Sequence, residues 1–516
     1  MENHNRVYAD LVSGDRTLSG DALAARVSQV ASGLIALGLT RGDNIAILMR
    51  NDFAIFEVIL AAQRVGVVAI SVNWHGSGRE VGFILADSGA NALFAHADLL
   101  ANVRGDIPRE CQIVCVQTPP EVVKSYTIDL ARTLDTSASD ILYEDWRDAA
   151  NPYTGEAIPL PRRISYTSGT TGNPKGVVRE ISNSEVARQF DERVVRAFGF
   201  DSGPIRAVMT GPLYHSAPGA YGQFAVRFGE LLVLQPRFSA PDLLDLIERH
   251  QISHLHAVPT MFTRLLNLPE ARRKIFDHSS LKAVVHGAAA CPPRVKQAMI
   301  DWFGNVILEY YAATEVGVVT CATSEEWLAN PGTVGRAPSR AITVAIFDDH
   351  GNRLGPGETG EIMFKSDVGE FVKYHNRPDA DADLKQGDWI TLGDIGHMNE
   401  NQYLWISDRK KDMVISGGVN IFPVEIEALI SSCDGVADCA VFGVPDDDLG
   451  EVLVAYIERQ KGAAVSVSDI SATIRRSLGT LKTPRTIDVV DSLPREDTGK
   501  LARRKVKQHF LRGGAS

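Results

Sequence analysis

The stretch Tyr166-Thr-Ser-Gly-Thr-Thr-Gly-Asn-Pro-Lys-Gly176 crowds the hydroxyls of Thr167, Ser168, Thr170 and Thr171, the glycines Gly169 and Gly172, and Lys175 into one loop after the β-like run 163–166. Glycines let backbone N–H groups converge on an anion, hydroxyls add donors, and the lysine supplies a compact positive charge. That chemistry cradles phosphate. The P-loop pattern of kinases and Ras-like proteins does not fit, because Pro174 stands where that motif needs Gly and Gly176 where it needs Ser or Thr. The bland alternative is a solvated Gly/Thr turn.

Outward from this loop the chain alternates helix-like and strand-like runs. Leu23, Val27, Val30, Leu34 and Leu37 recur at three- and four-residue steps, with Ser19 or Asp21 as N-cap and Gly38 beyond the end, which predicts an amphipathic helix. A β-like run at 44–49, a helix from Asp52 and a further β-like run at 67–72 follow. The same alternation returns as a helix over 240–250, a strand at 254–258, a strand at 282–286 and a helix after Pro292. This predicts an α/β fold of layered sheets. From 351 to 364, Gly/Pro turns between short β-like runs predict a distorted antiparallel or barrel element. Residues 406–411, Ile-Ser-Asp-Arg-Lys-Lys, form a polar segment between apolar ones and read as a hinge. After it, helices at 423–432 and 468–478, strands at 436–443 and 451–458, and a last helix from Leu501 predict a small α+β domain. The expected division is a large domain over 1–407, a hinge at 408–411 and a small mobile domain over 412–516.

A chain of 516 residues suits two to four domains at about 150 residues each. At 44% hydrophobic and 23% charged residues it has globular composition. Its 53 Lys plus Arg against 64 Asp plus Glu give a net charge of −11, whose averaged field repels nucleic acid and anionic membrane. Cys111, Cys115, Cys291, Cys321, Cys433 and Cys439 form no CxxC pair and no metal-ligand spacing, so they read as reduced thiols. The N-terminus lacks a signal-peptide pattern. The most apolar stretch, 53–72, is interrupted by Glu57, Gln63 and Arg64, which argues against an integral membrane segment. The expected location is cytoplasmic.

Further motifs follow in order: Pro212-Leu-Tyr-His-Ser216, Gly287-Ala-Ala289, Tyr310-Tyr-Ala-Ala-Thr-Glu315, Gly387-Asp-Trp389, Gly393-Asp394, Asp408-Arg-Lys-Lys411, Ser416-Gly-Gly-Val-Asn-Ile-Phe-Pro-Val-Glu425 and Pro494-Arg-Glu-Asp-Thr-Gly-Lys500. With the phosphate loop, this set resembles the adenylate-forming superfamily of acyl-CoA synthetases over nearly the whole chain. The resemblance implies ATP, Mg²⁺ and CoA as the molecules handled. It makes Glu315 the magnesium ligand, Thr314 a phosphate contact, Tyr311 the aromatic face against adenine, and Gly287, Ala288, Ala289, Glu309 and Tyr310 parts of the nucleotide site. Asp394 is then the acceptor for the ribose hydroxyls, a task suited to a carboxylate with several lone-pair sites. Arg409 is the second ribose and phosphate contact, and Ile406 lies beside it. Lys500 is the catalytic ammonium that a mobile small domain carries to the reacting carboxylate and α-phosphate, and Lys411 is the hinge residue. Ser416, Gly417 and Gly418 are expected near the pantetheine arm, with a plain turn as the competing reading.

By the same resemblance His215 is a pocket and gate residue. Ala217, Pro218, Gly219, Gly222, Gly287, Ala312, Val316 and Gly317 form uncharged pocket walls. Ala312 stands where the family commonly has Gly, which points to altered pocket depth. No Asp near His215 is available to hold an α-ammonium, so amino acids are poor substrates and a hydrophobic carboxylic acid fits. The implied reaction is formation of acyl-AMP and pyrophosphate, then transfer to the CoA thiol. Alternatives are loading of a separate carrier protein, an aryl or steroid side-chain acid as substrate, or a nucleotide-binding scaffold without catalysis. The resemblance leaves open a homodimer and an acetyltransferase acting on Lys500.

Overall fold

The computed structural model describes residues 7–134, 136–167, 174–181, 184–339, 341–366, 372–460, 462–495 and 501–511. Apolar runs without alternation belong in sheets covered on both faces, and two such sheets form the large part of the chain. In the first, Val68–Ser71, Asn44–Leu48, Ala90–His96, Gln112–Val116 and Ile141–Leu142 lie parallel in that order. In the second, eight strands run in the order Gly317–Ala322, Ile307–Ala313, Ala283–His286, His254–Ala257, Arg206–Met209, Leu231–Leu234, Asp10–Ser13 and Arg16–Leu18. Its six inner strands are parallel, and the two outermost are antiparallel to their neighbours.

The helices Gly20–Ala36 and Phe53–Arg64 join the core between these sheets. Ser19 caps the first through its side chain, accepting from Ala22 N, and Asp52 caps the second, accepting from Phe53 N. The second helix is buried from Phe53 to Ala62, which accounts for its uniform apolarity. Its Glu57 is buried with partners, Tyr143 Oη at 2.8 Å, Arg26 Nη1 at 3.1 Å and Arg147 Nη1 at 3.3 Å. Among the described residues no helix is long and apolar enough to cross a membrane, and all six cysteines are free.

A hairpin of Arg162–Thr167 and Lys175–Glu180, extended by Val372–Tyr374, stands between these layers and a distorted antiparallel sheet. That sheet contains Ile342–Phe347, Gly360–Ser366, Lys385–Gln386, Trp389–Met398 and Leu404–Arg409, with register shifts at Glu361/Met363 and Ile395/Gly396. The small C-terminal part holds a separate sheet of Val414–Ser416, Val419–Ile421, Val436–Asp446, Gly450–Arg459 and Thr486–Val490, covered by the helices Pro423–Ile430 and Val467–Leu478. Residues 406–411 depart from the hinge reading in one respect. Four of the six belong to the strand Leu404–Arg409, because cross-strand pairing of Asp394 with Arg409 outweighs their polarity. The sheets change over between Arg409 and Val414.

Candidate active site

The parallel strands of the larger sheet end together, and ligands of open α/β sheets bind beyond such carboxyl ends. Here Ile307–Ala313 runs out past Tyr311, where its pairing with Gly317–Ala322 shifts register, and the intervening turn projects Thr314 and Glu315. Thr314 is fixed twice. Its Oγ1 lies 3.1 Å from Ser216 Oγ, and its carbonyl accepts from Arg179 Nη2 at 3.1 Å.

The phosphate-loop hairpin meets this turn. Its strands pair up to Thr167 and Lys175, while Ser168, Gly169, Thr170, Thr171 and Gly172 lie outside the described residues. Lys175 Nζ sits 5.3 Å from the centre of the Tyr374 ring, and Tyr374 Oη donates to Glu315 Oε1 at 2.9 Å. Burial, and next the Glu315 charge, push the Tyr374 phenol up, so it stays a donor. Glu315 also lines a cavity with Val316, Ile342, Phe364, Lys365, Ser366, Val372 and Ile390, and Ser366 Oγ is buried without a hydrogen-bond partner among the described residues.

On the other side of the turn, Tyr311 Oη donates to Asp394 Oδ2, and Arg409 Nε lies 3.3 Å from Asp394 Oδ1. Asp394 is only 5% exposed while Arg409 is exposed, so the carboxylate is buried and the guanidinium lies at the surface. Shielding from solvent, and next the Arg409 charge, push the Lys411 ammonium down, with Lys175 among the like charges facing it and Asp394 opposing.

Two of the expected nucleotide-site residues have side chains engaged within the protein. Glu309 is buried, and its Oε2 accepts from Lys296 Nζ at 2.6 Å with His286 Nε2 3.8 Å away, so its carboxylate is engaged inside the core. Tyr310 Oη shares a 2.8 Å hydrogen bond with His256 Nε2, a ring that burial pushes down to about 4 and keeps neutral. Gly287 fits where a Cβ would stand 2.6 Å from Tyr310 Cζ, and exposed Ala288 takes a left-handed φ of +67°, a strained conformation for a residue with a Cβ.

The helix Ser216–Phe228 starts at the site, with His215 as its N-cap residue and the His215 ring 4.2 Å from that of Tyr214. Three of its expected wall residues make close packing contacts. Pro218 packs over Gly211; a Cβ on Gly219 would stand 2.7 Å from Leu213 O, and one on Gly222 2.7 Å from Leu213 Cδ2 and 3.2 Å from Phe56. Their small size serves close helix packing. Ala217 and Ala312 are half-buried against the main core, Val316 lines the cavity, and Gly317 turns beside Phe190 with φ +72°. Ile406 pairs with Gly396 and packs against the core that contains Val316.

Gly417 and Gly418, with φ of +55° and +80°, make the tight turn between Val414–Ser416 and Val419–Ile421, and Gly417 N donates to Leu449 O at 2.9 Å. The plain turn is thus present, and Ser416 is buried beside it. Lys500 lies outside the described residues. Tyr374 and Arg179 escaped the sequence reading because each meets its partner from a distant strand. Lys296 carried a signal: with Met299, Ile300 and Phe303 it occupies the buried face of Pro293–Phe303.

A lone carboxylate beside a lysine and a phenol suits Mg²⁺ that arrives with phosphates, since this ion is usually held by one or two carboxylates and substrate oxygens. The unpaired Ser366 hydroxyl fits the same use. The Asp394 carboxylate, a hydrogen-bond acceptor, and the exposed Arg409 beside it suit a sugar and its phosphate.

Residues 2–370 match the family described as AMP-binding enzyme, and residues 425–500 match the AMP-binding enzyme C-terminal domain. A long-chain-fatty-acid–CoA ligase of Mycobacterium tuberculosis, FadD13, is 31% identical over 95% of this chain and 92% of its own length. An indoleacetate–CoA ligase of Aromatoleum aromaticum is 30% identical over 96% of this chain and 94% of its own. Among solved structures, o-succinylbenzoate CoA synthetase (MenE) of Bacillus subtilis, in complex with ATP and magnesium ion, superposes with a TM-score of 0.78 at 26% identity, covering 98% of this chain and 97% of that one.

Proposed function

This chain belongs to the AMP-binding enzyme family, and from that premise we propose that it is an AMP-forming acid–thiol ligase that joins a hydrophobic carboxylic acid to CoA. The observation that carries the reading is the meeting of Lys175, Tyr374 and Glu315 on one side of the Thr314 turn with Tyr311, Asp394 and Arg409 on the other.

In the first step a carboxylate oxygen of the acid attacks the α-phosphorus of ATP. The bond from that phosphorus to the bridging oxygen breaks, and pyrophosphate leaves. In the second step the CoA sulfur attacks the acyl carbon, the bond to AMP breaks, and the thiol proton passes to solvent. The mixed anhydride supplies the leaving group that a carboxylate lacks. We assign Lys175 to the phosphates, Tyr311 to the adenine, and Asp394 and Arg409 to the ribose. Mg²⁺ would be held by Glu315 and would neutralise phosphate charge. Lys500 is assigned to the meeting of the two anions, where a positioned ammonium lowers their repulsion. We divide the chain at 1–407, 408–411 and 412–516, with rotation about Lys411 exchanging Lys500 for the thiol between the steps. The expected wall residues Ala217, Pro218, Gly219, Gly222, Ala312, Val316 and Gly317 are uncharged, which favours a fatty or other lipid-derived acid.

The test is ATP–pyrophosphate exchange and CoA-dependent AMP release over a panel of fatty, aryl and steroid side-chain acids. Exchange with at least one acid and AMP release on adding CoA are expected. Absence of exchange with every acid, or release that ignores CoA, overturns the reading.

A further inference from the structure

The link between the strand Asn44–Leu48 and the helix Phe53–Arg64 belongs to the five-stranded sheet, yet one of its side chains is spent on the other sheet. Arg50, Asn51 and Asp52 lie in this link, and all three are buried. Arg50 Nη1 donates to Asp98 Oδ2 at 2.7 Å. Asp52 Oδ1 accepts from Arg16 Nη2 at 2.6 Å and from Phe53 N at 2.7 Å. Asn51 stands between these two anchored neighbours.

Its amide reaches a segment 160 positions away. Asn51 Nδ2 donates to Gly211 O at 2.8 Å, and Asn51 Oδ1 accepts from Leu213 N at 2.9 Å. The two gripped groups flank Pro212, which has no N–H of its own to offer. One primary amide, with donor and acceptor side by side, therefore holds the backbone as a neighbouring strand would. What it holds is a turn. His215 N donates to Pro212 O at 3.2 Å, and Gly219 N donates to His215 O at 2.8 Å where the helix Ser216–Phe228 begins. Tyr214 and His215 form the second half of that turn, half-buried, with ring centres 4.2 Å apart. The same link also steadies the ring that faces them: the Arg50 guanidinium lies 4.7 Å from the centre of Trp74, and Trp74 meets Tyr214 edge-on at 6.5 Å.

The turn leads directly to the reaction centre, since Ser216 Oγ lies 3.1 Å from Thr314 Oγ1. Thr314 has a second hold, from Arg179 on its carbonyl. Release of the turn from Asn51 thus displaces the Tyr214–His215 side and leaves the nucleotide side with its own anchor. Displacements of about 1 Å produced far from the chemistry cost an enzyme about 100-fold.

We propose that Asn51 is a positioning residue for the carboxylic acid: it fixes the turn over 212–215 and through it the place of His215, without touching substrate. The inference rests on the ligase reading and on His215 as a pocket residue.

The experiment measures ATP–pyrophosphate exchange, varying the acid at saturating ATP and ATP at saturating acid, in wild type, Asn51→Ala, Asn51→Asp, His215→Ala and Asn51→Asp/His215→Ala. Loss of two buried hydrogen bonds predicts a rise of about tenfold in the KM for the acid in Asn51→Ala, with the KM for ATP within about twofold of wild type. Asn51→Asp keeps the size and the acceptor for Leu213 N; it should show a smaller rise in the same direction, and it carries the test if Asn51→Ala does not fold. KM does not depend on how much of the enzyme is folded, so a merely structural role would lower kcat and leave both KM values unchanged. Because Asn51 acts through His215, adding Asn51→Asp to His215→Ala should raise the acid KM no further. Equal rises in KM for acid and ATP, a fall in kcat alone, or additive effects in the double variant overturn the assignment of Asn51 while the ligase reading stands. A wild type that exchanges pyrophosphate with none of the acids overturns the ligase reading, and this assignment with it.

Discussion

The Tyr311 phenol donates to Asp394, whose backbone is paired across antiparallel strands with Arg409. This joins the end of the large parallel sheet to the last strand before the small C-terminal part. Burial, followed by the Asp394 charge, pushes the Tyr311 phenol up, so it remains a donor. On the proposed assignment, a ribose here would meet a carboxylate already held by Tyr311 and Arg409. Asp394→Asn is expected to raise the KM for ATP about 10- to 100-fold in pyrophosphate exchange, because an amide offers one acceptor oxygen and places an N–H₂ group toward Arg409. Tyr311→Phe should raise it less, since Arg409 still holds the carboxylate.

Tyr374 orients Glu315 from a strand 59 positions away. Tyr374→Phe keeps the ring beneath Lys175 and removes only the hydroxyl. The expected outcome is a higher magnesium requirement, with about a tenfold loss of exchange at low magnesium that is partly restored at high magnesium. Glu315→Gln should not be restored. Titration of exchange against magnesium concentration separates them.

Lys500→Ala should nearly abolish acyl-AMP formation while thioester formation from supplied acyl-AMP persists. Lys411→Pro should do the opposite, leaving exchange and crippling transfer to CoA, because proline locks φ at the proposed pivot. Measuring the two half-reactions separately in both variants checks the division of labour; equal losses in both steps would remove it.

Lys296 and Glu309 form an ion pair enclosed beneath the Gly287 loop, with side-chain exposures of 1% and 9%. Removing one partner strands the other, so Lys296→Met is expected to cost about 3–5 kcal/mol of stability. The double variant Lys296→Met/Glu309→Leu should recover most of that. Chemical denaturation of the three proteins gives the comparison.

Burial pushes the Glu427 carboxyl up to about 7, against the opposing pull of Arg503 and the Val441 N–H, while the Asp408 and Asp438 charges add to the rise. A raised folded-state value means that the folded chain binds more protons than the unfolded one between the ordinary carboxylate range and about pH 7, so stability falls as pH rises through that window. Glu427→Gln removes this dependence. The wild type should therefore gain thermal stability relative to the variant as pH is lowered from about 7 toward 4.5, with the gap constant above pH 7.

The helices over 20–36 and 53–64 were legible because their apolar spacing and the caps Ser19 and Asp52 are local properties. The helix 240–250 and the strands at 254–257 and 283–286 were legible for the same reason. The strand character of residues 406–409 was not legible, because polarity signals a linker only when no neighbouring strand takes up the backbone. The close packing of Pro218, Gly219 and Gly222 was not legible, because a small residue beside a ligand and one beside another backbone look alike in one dimension.

Covalent order alone determined the motif set, the family resemblance and the identity of the charged groups, because each depends on residue type and spacing along one chain. Only the tertiary structure decided that Glu309 belongs to Lys296, Glu315 to Tyr374 and Asp394 to Tyr311. Hydrogen bonds and ion pairs act over a few ångströms of space, and packing of strands distant in the chain chooses which groups come that close.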